Sequence, residues 1–333
     1  MPASTALPDL WRLLLAGVQA DCLSAALELR LFEHLRQPCE PAALAKRLEW
    51  PQAPCEALLD VLGELGLLER NGPAWRASGL ALAHFCAEAP GYCGGAWLFR
   101  QQALRGVGER LRGGPQVFGA LPDAAQRAAW GRAAAGQLAQ EQRAFSQTQA
   151  VDLLRRLGGL ADGSHWLDLG GGPGAIAMAI AQAWPETHGT LFDFPEAQSV
   201  AADNVRDAGL SARLQTLGGD LESDSPGTGY DLIWCSSVLH FLSDPAATLA
   251  RLHAALRPGG RLLCLHAEWS TGDSLAARVL PYYLPLRLQQ RWVPRPGEMA
   301  RLLTAAGFAR VEALGALDMP LAPVQVYLAQ RAP

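Results

Sequence analysis

The sequence predicts an α/β protein in which a doubly wound, mostly parallel sheet follows a smaller helical module. Three observations carry this. Residues 166–175, WLDLGGGPGA, read as a short apolar strand running into a glycine turn and then a helix. From Ser164 onward, apolar strand-length segments alternate with helix-length segments, the pattern of a sheet whose ligand crevice lies at the strand C-terminal ends. Before that point the apolar residues recur at helical spacing, with one small hairpin among them.

At 333 residues the chain exceeds one usual domain, and its 50% hydrophobic content is enough to build two cores. Its 28 basic and 32 acidic residues leave a net charge of −4, with no basic run to draw nucleic acid or an anionic membrane. Every basic residue except Lys46 is arginine, a feature of genomic composition. The seven cysteines (Cys22, Cys39, Cys55, Cys86, Cys93, Cys235, Cys264) form no CxxC pair and have no grouped histidines, so no metal is expected. Charged residues interrupt the apolar runs and no leader pattern opens the chain, which points to the reducing cytoplasm.

Within residues 9–36, Leu10, Leu13, Leu14 and Val18, then Leu23, Ala26, Leu27, Leu31 and Leu35, predict two helices with an adhesive face, stopped by Pro38 and Pro41. Short helices come next at 42–48 and 53–65. Segments 67–70 and 75–77, joined by Asn71 and Gly72, read as a hairpin. Three helices and a hairpin make a winged helix, which raises the possibility of a DNA-binding regulator. The would-be recognition helix carries Glu56, Asp60 and Glu64 and no Lys or Arg, so it would repel phosphates. A module that pairs with a second copy through its apolar face is the better reading. Longer connecting helices are expected over 91–112 and 123–157, broken at Gly113, Gly114 and Pro115 and again at Leu121 and Pro122.

The glycine turn sets the chemistry. Gly170, Gly172 and Gly174 remove Cβ atoms where a ligand must come close, and the N–H groups at the start of the next helix suit a polar ligand. Asp168 ends the strand and can hold a hydroxyl or an ammonium. Gly170, Gly172 and Ala175 also satisfy a dinucleotide fingerprint. A second strand, 189–192, ends at Asp193, placed for ribose hydroxyls and compatible with either ligand. A third, 213–217, ends in Gly218, Gly219 and Asp220; this further carboxylate favours a nucleoside held end to end.

Asp168 with its glycines, Asp193, Asp220, then YDLIWCS at 230–236, VLHFLSD and LRPGGRLLCLHAE resemble, in order and spacing, the class I S-adenosylmethionine (SAM) methyltransferases. In particular they resemble the small-molecule O-methyltransferases of plant phenolic and bacterial antibiotic pathways, which carry an N-terminal winged-helix dimerisation domain. The likeness runs over nearly the whole chain and is most specific over 166–268. It implies a Rossmann-like catalytic domain at 161–333, connecting helices at 91–160 that roof the acceptor pocket, and a dimerisation domain at 1–90. It implies SAM as methyl donor and a homodimer, with neither nucleic acid nor membrane as partner.

Residue by residue, the resemblance places Asp193 on the ribose and Phe194, Asp220 and Leu221 beside the adenine. Cys235 and Ser236 fall near the methionine end, although Cys235 equally suits a buried apolar position. His240 aligns with the family's catalytic histidine, an imidazole able to take the acceptor's proton. The family flanks that histidine with acids. Here His266 stands at the expected Glu, with Glu268 two residues on and, by strand periodicity, on the same face as a substitute. The second acid aligns near Trp292, and the residue after His240 is Phe241. Asp244 reads as a helix N-cap. Trp97, Trp130, Tyr282, Tyr283 and Trp292 are the expected acceptor walls, Trp130 foremost, and suggest a flat aromatic ligand. Phe99 and Phe145 accompany them, Ala134 leaves extra room, and Arg291 or Arg295 could meet an acidic substituent. Methylation of N, S or C, or a SAM-bound enzyme that does not spend its methyl group, stays open.

Overall fold

The computed structural model describes residues 7–113, 124–319 and 321–333. The expected breaks at Gly114, Pro115, Leu121 and Pro122 lie outside them. The chain divides into two compact units, Met1–Ala103 and Leu104–Pro333.

The first unit contains α1 (Leu7–Glu28), α2 (Leu31–His34), α3 (Pro41–Leu48), α4 (Gln52–Glu64), β1 (Leu68–Asn71), β2 (Ala74–Ala77) and α5 (Gly79–His84). The predicted pair of helices becomes one long helix and a single turn, because Arg30 adopts a left-handed conformation (φ 53°) between them. Pro41 opens α3 instead of closing its predecessor, its missing N–H being no loss at that position. The predicted hairpin forms, with Leu68 opposite Ala77 and Asn71 opposite Ala74. Ser78 caps α5 by accepting from Ala81 N–H. Leu31, Phe32, Leu35, Leu44, Leu59, Leu62 and Trp75 fill the core. By contrast Leu10, Trp11, Leu13, Leu14, Leu15 and Val18 of α1 are exposed. By length and composition α1 is long and apolar enough to cross a membrane, with Arg12 and Asp21 interrupting its apolar run as expected.

The unit boundary falls within α6 (Gly94–Leu104), and α7 (Val107–Leu111) comes after it. The long connecting helix runs as α8 (Ala124–Ala133), α9 (Ala139–Glu141) and α10 (Gln147–Arg156), with wide π-type turns at Ala134–Leu138 and Gln142–Ser146. Each wide turn shifts the helical register of the residues beyond it.

The sheet comprises β3 (His165–Leu169), β4 (His188–Asp193), β5 (Leu214–Gly218), β6 (Tyr230–Ser236), β7 (Leu256–His266), β8 (Arg310–Leu317) and β9 (Val324–Gln330). Their order is β5-β4-β3-β6-β7-β9-β8; β3 to β7 are mutually parallel, and β9 is antiparallel to β7 and β8. Helices α11 (Ala175–Ala183), α12 (Pro195–Asp207), α13 (Pro245–Ala255), α14 (Ala276–Leu288) and α15 (Glu298–Ala305) complete the unit.

Strand periodicity divides the apolar residues between two layers. Trp166, Leu232, Trp234, Leu263 and Leu265 pack in one core with residues of α10, α11 and α14. Leu167, Leu169, Ile233, Cys235, Leu262 and Cys264 pack in the other with α13 and α15. Burial on both faces explains why the central strands read as nearly continuous apolar runs. The chain winds from β3 outward to β4 and β5, then returns to β6 on the opposite side of β3. That reversal opens a crevice beyond the C-terminal ends of β3 and β6.

Candidate active site

Asp168, the glycine turn, Cys235 and Ser236 all stand at this reversal. In register, Asp168 lies opposite Trp234, and Leu169 opposite Cys235. Gly170, Gly172 and Gly174 adopt φ of 66°, 57° and 85°. At Gly170 a Cβ would be built into Val238 Cγ2, just beyond the tip of β6. Gly171 is equally constrained: a Cβ there would lie 2.8 Å from Asp168 Oδ2 and 2.7 Å from Leu191 Cδ1. The turn thus brings bare backbone against both strand tips.

Asp168 is 2% exposed, and its Oδ2 is buried with no hydrogen-bond partner among the described residues. An unpaired carboxylate oxygen in such a position is costly unless a ligand supplies the donor. Burial, reinforced by the neighbouring charge of Asp193, pushes its carboxyl up to about 7. Asp193, half-buried at the tip of β4, accepts from Gly172 N–H at Oδ2 and from Phe194 N–H at Oδ1, both at 2.7 Å. Burial raises it to about 6 against the pull of those two bonds. Two donors leave lone pairs on a carboxylate for further hydroxyls. Phe194 is the N-cap residue of α12. Asp220 closes a local turn, its Oδ1 accepting from Glu222 N–H at 2.8 Å, and Leu221 beside it is buried.

Gln142 is a site residue that the sequence did not reveal. From the second wide turn its amide donates to Gly171 O at 3.2 Å and accepts from Ala175 N–H at 3.1 Å, clamping the glycine turn to the first residue of α11. Asn204 of α12 also holds the turn, donating to Pro173 O.

His240 lies in a 3-10 turn, Leu239–Phe241, directly after β6 and two residues beyond the Val238 that faces Gly170. The backbone turns sharply there through Ser237 at φ 57°, whose N–H is tied to Leu265 O. His240 is 3% exposed, and its Nδ1 lies 3.0 Å from Nε2 of His266. His266 is 1% exposed, with its own Nδ1 3.0 Å from Ala267 O. Burial, then the facing His266 and Arg291, hold His240 well below the usual imidazole range. Burial brings His266 down to about 4.

The expectation that Glu268 lies against His240 is therefore corrected. β7 ends at His266, so the two-residue alternation stops before Glu268. The Glu268 carboxylate instead accepts from Tyr327 O–H at 2.6 Å and borders a hollow with Ser270, Asp273 and Gln325. Burial raises it. Asp244 proves to be the N-cap of α13, accepting from Ala247 N–H.

Aromatic rings surround the histidine pair. Phe241 lies 4.1 Å from the His240 ring, and Trp130 meets Phe241 edge-on at 4.8 Å. Tyr283 stands edge-on to His240 at 5.6 Å, with Tyr282 against it at 5.0 Å. Trp292 lies 5.5 Å from His266 and donates from Nε1 to Glu298. Trp97 belongs to the first unit, where its indole N–H donates to Ser24 Oγ at 3.1 Å. Ala134 is fully buried.

A doubly wound sheet with acids at the tips of β3 and β4, a glycine cradle and a buried histidine beside the reversal forms a candidate site for a small polar ligand at the place where such sheets bind them. Comparison with known proteins makes the class specific. Residues 117–309 match the O-methyltransferase domain, and residues 11–84 match the O-methyltransferase dimerisation domain. The N,N-dimethyltransferase OxyT of Streptomyces rimosus is 33% identical over 267 residues, covering 77% of this chain and 76% of that protein. The tetracenomycin polyketide synthesis 8-O-methyl transferase TcmO of Streptomyces glaucescens is 29% identical over 320 residues, 91% of both chains. Human N-acetylserotonin methyltransferase in complex with SAM shares the fold at a TM-score of 0.71, with 22% identity and full coverage of both chains. The chain belongs to the SAM-dependent O-methyltransferase family of secondary-metabolite enzymes, with the family's dimerisation domain at its N-terminal end.

Proposed function

We propose that the protein methylates a hydroxyl of a small aromatic or heteroaromatic metabolite, with SAM as donor and His240 as general base. The observation that carries this reading is the buried His240, set by the turn after β6 beside the glycine cradle and ringed by Phe241, Trp130 and Tyr283. The orphaned Asp168 Oδ2 and the cradle that a Cβ would fill are the features a nucleoside with an ammonium-bearing tail needs. Bound there, SAM supplies a methyl group made electrophilic by its sulfonium charge.

The chain's own residues do the remainder. Asp193 accepts ribose hydroxyls while its bonds to Gly172 and Phe194 keep it oriented. Phe194, Asp220 and Leu221 border the base, and Asp168, Cys235 and Ser236 face the methionine end. Holding the acceptor oxygen close to the methyl carbon supplies most of the acceleration. His240 Nε2 takes the hydroxyl proton. An imidazole this weakly basic suits a phenolic hydroxyl better than an aliphatic one, since proton transfer is most effective between groups of matched acidity. Residues 91–160 contribute Trp130 to the acceptor wall. Methyl-labelled SAM offered with a panel of hydroxylated aromatics tests the reading: label should appear on oxygen, and label appearing only on carbon or sulfur contradicts it.

Methylation of nitrogen is a second reading, favoured by the relationship to a protein named an N,N-dimethyltransferase. A neutral amine already carries its lone pair and needs no base, so the two readings differ in their dependence on His240.

The exposed α1 face, with Leu13 at 69% and Leu14 at 60% exposure, fits pairing with a second copy, and residues 1–90 would form that dimerisation module. Leu14→Glu is expected to shift the protein from dimer to monomer in sedimentation velocity. An unchanged dimer would place the interface elsewhere.

A further inference from the structure

The two buried histidines fix each other's protons. A backbone carbonyl only accepts, and Ala267 O lies 3.0 Å from His266 Nδ1, so that nitrogen carries the hydrogen. A neutral imidazole has one N–H, which leaves His266 Nε2 bare. That bare nitrogen lies 3.0 Å from His240 Nδ1, which must then carry its ring's hydrogen. The lone pair of His240 is consequently on Nε2. The opposite tautomers would set a lone pair of His266 against the carbonyl oxygen.

We infer that His266 is the positioning residue of the site: as a neutral ring standing in place of a carboxylate, it fixes His240 in the tautomer whose Nε2 is free to take a proton. The inference rests on the proposed role of His240, although the tautomers can be observed independently of it.

The surroundings agree. Around the pair stand Phe241, Tyr283 of α14, Trp292, and Arg291, whose guanidinium donates to Phe241 O at 3.2 Å. The nearby carboxylates are engaged elsewhere, Glu298 with the Trp292 indole and Glu268 with Tyr327. A positive charge on either ring would therefore sit in a buried place beside a guanidinium. A carboxylate partner would make His240 easier to protonate, whereas a neutral ring orients it without doing so. The dyad therefore stays in its working, neutral form into mildly acidic solution.

The test uses the 333-residue chain with its seven histidines labelled with ¹⁵N, and long-range ¹H–¹⁵N spectra recorded from pH 5.5 to 8. His240→Gln and His266→Gln spectra assign the two rings. Both are expected as neutral Nδ1–H tautomers throughout; an Nε2–H signature for either, or titration of either within that range, overturns the inference. Turnover of the variants separates positioning from simple packing. His266→Leu removes the acceptor and should lower kcat about tenfold or more with KM for SAM unchanged. His266→Gln, whose carbonyl can accept from His240 Nδ1–H, should restore most of that loss. His266→Glu should move the acid limb of the pH profile upward. Equal losses in all three variants with an unmoved acid limb would show that His266 merely fills space. If no acceptor is ever methylated, the function reading fails while the spectra still decide the tautomers.

Discussion

His240→Ala is expected to bind SAM as the unaltered protein does and to turn over about 10²- to 10⁴-fold more slowly, the range contributed by a positioned proton acceptor. The imidazole lies after β6, next to the cradle without forming part of it, so its removal deletes the proposed base and leaves the acids at the strand tips in place. The buried ring also touches Phe241, Tyr283 and His266, so a melting temperature belongs beside each rate. A fall of less than about tenfold with unchanged stability would move the reading to an amine acceptor, which attacks without losing a proton first.

Asp193→Ala is expected to weaken binding of S-adenosylhomocysteine by about 1–3 kcal/mol, the cost of leaving partner hydroxyls without a charged acceptor. The upper part of that range is anticipated, because the same carboxylate holds Gly172 N–H and Phe194 N–H and so shapes both the cradle and the start of α12. Calorimetric titration checks it. Unchanged affinity would remove Asp193 from the ribose.

Much of this site is written locally in the chain. The run YDLIWCS forms β6 over Tyr230–Ser236, and Asp244 caps α13 as its place before Pro245 implies. The reversal that gathers Asp168, the glycines and His240 comes from alternating strands and helices. Features set by where an element stops or slips escaped. Alternation along β7 predicts Glu268 on the face of His266, but the strand ends at His266 and the carboxylate turns to Tyr327. Gln142 meets the glycine turn from the start of the second of two wide turns in the connecting helix, and nothing in AAGQLAQEQRAFS announces those turns to a reader assuming a period of 3.6. Trp97, expected in the acceptor wall, donates to Ser24 within the first unit, a pairing of residues 73 apart in sequence.

The central claim is that the acids at the strand tips clasp a nucleoside with an amino-acid tail, and calorimetry with S-adenosylhomocysteine and NADH at pH 7.5 and pH 5.5 tests it most directly. The carboxyls of Asp168 and Asp193, raised to about 7 and about 6, must be ionised to receive an ammonium and hydroxyls, so affinity is lost as pH falls through those values. The account predicts binding of S-adenosylhomocysteine at pH 7.5, weakening about tenfold or more at pH 5.5, and no heat from NADH. Binding of NADH without S-adenosylhomocysteine would contradict it.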